Sequence, residues 1–452
     1  MRSVNPATGE PIAEYPEHDP GEVQRRLERA AATFATWRRT SFAERSAILV
    51  SVARVLSQDR DRFARLMTIE MGKPIAQAEA EVEKCAWCCE HFAEHAERYL
   101  APREIATDAA RSLVRYDPLG VVLAIMPWNF PFWQVIRCAA PALMAGDTVV
   151  LKHASNVCGC ALALESLFGD AGAPPGLFTA LLVSSARVEA LIEHPRVAAV
   201  SLTGSETAGI AVGRSAGAAL KKTVLELGGS DPFIVLADAD LEAVVPQAVA
   251  ARVQNNGESC IAAKRFIVEE PIAERFERAL GERMAALRVG DPLERTSDVG
   301  PLARADLRDE LDRQVSESVE RGAVLATGGR RLDGPGWYYS STVLSRVTPG
   351  MPAFDEETFG PLAAVSRVPG AEQAVELANR SRYGLGASVW TRDRERGEAL
   401  TRDLEAGATF VNGIVKSDPR LPFGGVKRSG YGRELSAAGI REFVNLKTVW
   451  VR

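Results

Sequence analysis

Cys260 closes a short polar stretch, Asn255-Asn256-Gly257-Glu258-Ser259-Cys260, and an apolar run, Arg265-Phe266-Ile267-Val268, follows it. A thiol carried on a turn at the edge of a strand is positioned to attack an electrophile. Upstream, Glu226 precedes Leu227-Gly228-Gly229. A carboxylate beside a tight glycine turn is a candidate general base. Further upstream, Asn129 stands between two prolines in Pro127-Trp128-Asn129-Phe130-Pro131. Its amide is a candidate donor to an oxyanion. Nucleophile, base and donor together are the parts of acyl chemistry through a covalent intermediate. Each alone has a plainer reading: an inert turn cysteine, a surface carboxylate, an asparagine bonding its own backbone.

These residues need strands and turns to hold them. Val121-Val122-Leu123-Ala124-Ile125-Met126 is a continuous apolar run, as a strand buried on both faces requires. Asp147 to Lys152 and Ala198 to Leu202 repeat the pattern, with helical stretches between them. A second alternating set begins near Leu227 and includes Asp231 to Leu236, Lys264 to Glu269, Leu362 to Val368 and Ala387 to Trp390. This is the rhythm of doubly wound parallel sheets, an α/β fold. The first hundred residues are helical in pattern: Glu22 to Trp37, Phe42 to Gln58 with a capping box from Ser41 to Glu44, Arg62 to Met71, and Gln77 to Leu100.

The chain has 452 residues, more than one core usually serves, so at least two domains are expected. Hydrophobic residues make up 46% and charged residues 25%, as in ordinary globular proteins. A net charge of -5 argues against a nucleic-acid surface. No apolar stretch is long enough to span a bilayer. Met1-Arg2-Ser3-Val4-Asn5-Pro6 lacks an apolar signal core, so a cytoplasmic protein is expected. The seven cysteines form no secreted-type framework. Cys85, Cys88 and Cys89 lie near His91 and His95, but helical spacing explains them without a metal. Cys85, Cys89, Phe92 and Ala96 would share one buried helix face.

The three catalytic segments resemble those of the aldehyde dehydrogenase family. So do Asn5-Pro6-Ala7-Thr8-Gly9-Glu10, Val200-Ser201-Leu202-Thr203-Gly204-Ser205 and Pro422-Phe423-Gly424-Gly425-Val426-Lys427, all in family order. The resemblance covers nearly the whole chain and is nearest to the bacterial branch that oxidises succinate semialdehyde with NADP. It implies two Rossmann-like αβ domains and a small β oligomerisation ribbon. The cofactor-binding domain would comprise residues 1–103 and 120–226, the catalytic domain 227–430, and the ribbon 104–119 and 431–452. A homodimer or dimer of dimers is expected, with a small aldehyde as the only other partner: no nucleic acid, no membrane, no metal.

The resemblance also assigns roles. Cys260 attacks the aldehyde, Asn129 meets the oxyanion, and Glu226 activates water to release the acid. Trp128, Lys152, Ser155, Gly204, Ser205, Leu227, Glu357 and Phe359 match cofactor positions. NAD-preferring relatives often carry a glutamate where this chain has Ser155. A small hydroxyl there admits a 2′-phosphate, so NADP is expected, with NAD used less readily. Alternatively, Ser155 only caps the next helix. His153, where relatives commonly have proline, is a departure. Ile261 and Ala262 follow the nucleophile, so the local disulfide of some relatives is not possible.

Trp133 and Arg137 are four apart and share a helix face. A guanidinium and an aromatic wall suit an aldehyde with a carboxylate tail. By the resemblance Arg137 takes that tail, and Ser259 and Ser417 add hydroxyls. Arg265 is either a second cation of the pocket or a structural ion-pair partner. Glutarate semialdehyde would fit the same features. Two competing readings are an acylating enzyme that uses coenzyme A and a catalytically silent relative. The retained Glu226 speaks against the first, and the intact set Cys260, Glu226 and Asn129 against the second.

Overall fold

The computed structural model describes residues 1–452 and has two large sheets. The first runs in the order Gly430–Tyr431, Lys222–Glu226, Val197–Thr203, Val121–Met126, Thr148–His153, Phe178–Ala180. All its pairings are parallel except the short edge strand Gly430–Tyr431. The strand Val121–Met126 is central and wholly buried, which accounts for its unbroken apolar sequence. From it the chain proceeds to one side through Thr148–His153 and then returns to the other through Val197–Thr203. Pro127, Trp128 and Asn129 therefore leave the sheet at its switch point, where open α/β sheets bind ligands.

The second sheet runs Val324–Thr327, Thr342–Ser345, Leu362–Val368, Ala263–Glu269, Asp231–Val235, Gly386–Trp390, Ala408–Val411. Only Val324–Thr327 is antiparallel to its neighbour. A third, three-stranded sheet pairs Val444–Val451 with Arg111–Pro118, and that strand with Arg103–Glu104. Leu446, Trp450 and Val451 on it are exposed.

Four helices, Pro20–Trp37, Phe42–Gln58, Arg60–Met71 and Ile75–Tyr99, fill the N-terminal region. Ser41 and Glu44 form the expected reciprocal cap. Cys85, Cys89, Phe92 and Ala96 are fully buried on one face of the last helix. The last three helices share one apolar core with the helix Trp133–Ala145 and one face of the first sheet, while Val23, Leu27 and Ala30 of the first pack on the opposite face with Leu123 and Ile125, and the loop after Met126 leaves a sheet covered on both sides.

Candidate active site

Cys260 is half-buried in the wall between two cavities of about 260 Å³ each, and it lines both. One cavity is lined by Trp128, Asn129, Thr203, Gly204, Ser205, Leu227, Gly228, Arg304, Glu357 and Phe359, among others. The other is lined by Gln77, Glu81, Lys84, Trp133, Arg137, Ser259, Lys416, Ser417 and Phe423, among others. Most of the residues expected to meet a cofactor thus gather on one side of the thiol. Trp133, Arg137, Ser259 and Ser417, expected to meet a substrate, gather on the other.

The loop that carries the thiol is held from several directions. Asn255, Asn256 and Gly257 all have left-handed φ, at 55°, 59° and 78°. Asparagine and glycine tolerate that region best. A side chain on Gly257 would strike the Gly360 carbonyl at 2.2 Å, so the position has no room for one. Asn255 Nδ2 donates to the carbonyls of Asn129 (2.8 Å) and Glu258 (2.9 Å). Asn256 Nδ2 donates to the carbonyls of Gly72 and Pro301. Lys264 Nζ gathers the carbonyls of Ser259 (2.9 Å), Cys260 (2.9 Å) and Ala262 (3.2 Å). Sequence reasoning passed over this lysine. Its one visible signal is a charge near the start of a strand that is buried throughout.

Asn129 Nδ2 donates to the Glu258 carbonyl at 3.0 Å, and its Oδ1 accepts from Gln134 Nε2 at 3.1 Å. The amide is oriented toward the Cys260 loop, and one of its two N–H donors is engaged by that loop. Burial pushes the Cys260 thiol up to about 12, while Arg137 and Lys264 pull against it. Attack on an electrophile therefore needs a base.

Glu226 ends its strand opposite Thr203. Its carboxylate is buried, lines neither cavity and packs where a Gly424 side chain would sit, 2.8 Å from Oε1. Neither oxygen has a hydrogen-bond partner. Burial raises Glu226 to about 8; nearby Arg137 lowers it and Glu434 raises it. Gly228 and Gly229 are explained by crowding. A Cβ on Gly228 would lie 2.3 Å from Glu357 Oε2, and one on Gly229 would lie 2.5 Å from the Cys260 carbonyl.

On the cofactor side Phe359 meets Trp128 edge-on at 5.8 Å. Glu357 Oε1 accepts from the Gly229 N–H at 2.9 Å. Ser205 caps the helix Glu206–Ala218, accepting from the Ala208 N–H. Lys152 and Ser155 lie at the carboxyl end of Thr148–His153, outside the cavity lining. Ser155 does not cap the next helix, which begins at Cys158 with no side-chain cap. His153 takes the place of the expected proline by bridging. Its Nε2 lies 2.9 Å from the Pro131 carbonyl, and its Nδ1 lies 3.1 Å from the Met126 carbonyl and 3.0 Å from the Ala154 N–H. It ties this strand to the Asn129 loop, and burial keeps it neutral by lowering it to about 4.

Arg265 is not in the substrate cavity. It donates to the carbonyls of Ser230, Leu377 and Ala378 and is fully buried among them. Neighbours along a strand point to opposite faces, so Lys264 turns to the thiol loop while Arg265 turns away. Of its two readings, the structural one holds, though its partners are carbonyls and not an acid. Arg137 does line the cavity; Nε pairs with Glu434 and Nη2 donates to Thr203 Oγ1 at 3.2 Å, which leaves Nη1 without a partner in the chain.

Residues 1–449 match the model of the aldehyde dehydrogenase family. A Synechocystis protein named probable succinate-semialdehyde dehydrogenase [NADP(+)] is 52% identical, with 100% of this chain and 99% of that protein aligned. A Mycobacterium tuberculosis protein named succinate-semialdehyde dehydrogenase [NADP(+)] 1 is also 52% identical, at the same coverage. The crystal structure of succinic semialdehyde dehydrogenase from Streptococcus pyogenes in complex with NADP+ superposes with a TM-score of 0.97 at 36% identity, covering 100% of this chain and 99% of that one. With a thiol on a pinned loop between two cavities and a family match over almost every residue, this chain belongs to the aldehyde dehydrogenase family.

Proposed function

We propose that this enzyme oxidises succinate semialdehyde to succinate and passes the hydride to NADP. The observation that carries the reading is Cys260 in the wall between two cavities, one ending at glycine turns and the other rich in cations. Relatives at 52% identity over the whole chain bear the name of this reaction.

The residues fit the cofactor. Lys152 is a buried cation with no carboxylate partner, and burial lowers it below its usual value. Ser155 is exposed, and its backbone carbonyl accepts from Cys158 Sγ at 3.3 Å. Together they would hold a 2′-phosphate, while the N-terminus of Glu206–Ala218 would face the pyrophosphate. Glu357 would hold the nicotinamide ribose, and Phe359 would pack on the ring. Bound there, NADP supplies the hydride acceptor.

The chain's own residues do the rest. Cys260 Sγ attacks the aldehyde carbon, a C–S bond forms, and the carbonyl electron pair moves to oxygen. The thiol proton is lost to solvent through the cavities that Cys260 lines, with Arg137 and Lys264 favouring the thiolate. The Cys260 N–H and the second N–H of Asn129 Nδ2 receive the oxyanion, while the first stays on the Glu258 carbonyl. After oxidation to the thioester, Glu226 takes a proton from water, which attacks the acyl carbon. The C–S bond breaks, the proton on Glu226 returns to the sulfur, and the acid leaves. Glu226 reaches these positions by side-chain rotation out of its recess beside Gly424. The exposed ribbon residues Leu446, Trp450 and Val451 support a homo-oligomer, and we take the reaction to be cytoplasmic.

Steady-state assays with succinate semialdehyde, glutarate semialdehyde and butanal, each with NADP and NAD, test the reading. The highest kcat/KM should belong to succinate semialdehyde with NADP. A higher value for butanal would reject the substrate.

A further inference from the structure

We propose that Gln134, in the first turn of the helix Trp133–Ala145, is a positioning residue for the oxyanion. It holds the Asn129 amide so that one N–H stays on the Cys260 loop and the other faces the reacting carbonyl. This rests on the proposed covalent reaction and adds the residue that orients its donor.

Two residues line both cavities, Cys260 and Gln134. Gln134 is 1% exposed, and its Nε2 donates to Asn129 Oδ1 at 3.1 Å. One peptide group fixes the direction of both amides. The Glu258 carbonyl can only accept, so Asn129 must turn Nδ2 toward it, at 3.0 Å. Oδ1 is then the atom that faces Gln134, and it needs a donor, which an amide supplies. The Asn129 carbonyl is held independently by Asn255 Nδ2 at 2.8 Å. A planar amide anchored at its oxygen and at one N–H cannot turn, so the direction of the second N–H is set. A hydrogen bond into Oδ1 also polarises the amide and makes that N–H a stronger donor.

Folding alone does not call for a glutamine here. Gln134 Oε1 is buried and has no partner in the chain. An unpartnered buried oxygen opposes stability. Methionine at this position would have similar length and would exchange one unpartnered oxygen for another, that of Asn129. Stability would therefore change little, while the amide would lose its anchor. What the glutamine supplies is the direction of the Asn129 donor, at the point where thiol, substrate cavity and cofactor cavity meet.

In Gln134→Met the steps that form an oxyanion should slow, while the thiol itself should not change. The burst of reduced cofactor and the steady-state kcat with succinate semialdehyde should each fall by about 10- to 100-fold, less than the 10²- to 10³-fold or so expected for Asn129→Ala. Iodoacetamide alkylates a thiol at a saturated carbon and forms no oxyanion, so its rate with Cys260 should stay within about twofold of wild type. The melting temperature should hold. Gln134→Met combined with Asn129→Ala should be no slower than Asn129→Ala alone, because the glutamine acts through that amide. Gln134→Leu carries the test if Gln134→Met does not fold. An unchanged burst and turnover would overturn the assignment. So would a parallel fall in alkylation, which would make Gln134 a support of the Cys260 loop, or a further loss in the double variant. Near-wild-type turnover by Asn129→Ala would instead overturn the oxyanion reading beneath it.

Discussion

The two cavities that meet at Cys260 are built by different rules. The cofactor side is made of strand ends and the turns that follow them: Trp128 and Asn129 after one strand, Gly204 and Ser205 after the next, Leu227 and Gly228 after a third. The substrate side is made of helix faces and a late loop. Gln77, Glu81 and Lys84 come from one helix, Trp133 and Arg137 from another, and Ser417 from far along the chain. Backbone turns recognise what every NADP has in common. Side chains on helices can change one at a time, so on the proposed function this wall is the one that would set specificity for the aldehyde. Cys260, common to both walls, must serve either side.

The strongest test of that arrangement removes the shared thiol. Cys260→Ala should reduce dehydrogenase turnover by at least about 10⁴-fold, because no other group forms the covalent adduct. Both cavities should survive, so NADP should still bind, as read by quenching of tryptophan fluorescence. Substantial turnover by the alanine variant would remove the covalent step.

Glu226→Gln should lower steady-state turnover by about 10²- to 10⁴-fold. Oxidation precedes hydrolysis, so rapid mixing should reveal a burst of reduced cofactor and then a stall. Loss of the burst as well would place Glu226 before oxidation, at the thiol proton. In the wild type, Glu226 acts as a base only when ionised. Raised to about 8, it is mostly protonated at neutral pH, so turnover should climb as pH rises toward and past that value. The glutamine variant should lack this limb.

The contrast between the cavities also explains what could be read from the chain. Cys260, Asn129, Gly204, Glu357 and their neighbours lie in compact segments whose order and spacing survive in one dimension. The apolar strands beside them announced themselves by burial on both faces, and most were bounded within a residue or two. Lys84 was hidden because its helix shows two patterns at once. The cysteine face reads as core, and Gln77, Glu81 and Lys84 read as an ordinary solvated stripe until a second helix covers them. Arg265 misled for a related reason. Five residues after the nucleophile is close in sequence, but one strand step sends the side chain to the opposite face. The pairing of Arg137 with Glu434 spans most of the chain, and neither residue's local sequence announces it.

Cofactor choice is a smaller effect, confined to one wall. Ser155→Glu would put a carboxylate beside Lys152, where a 2′-phosphate would lie. Like charges in a partly desolvated site oppose each other by about 2–3 kcal/mol, so the NADP to NAD ratio of kcat/KM should drop by about 30- to 150-fold. Substrate preference between succinate semialdehyde and butanal should stay as it is, because that wall is untouched. An unchanged cofactor ratio would move the discrimination elsewhere, since Ser155 caps no helix here.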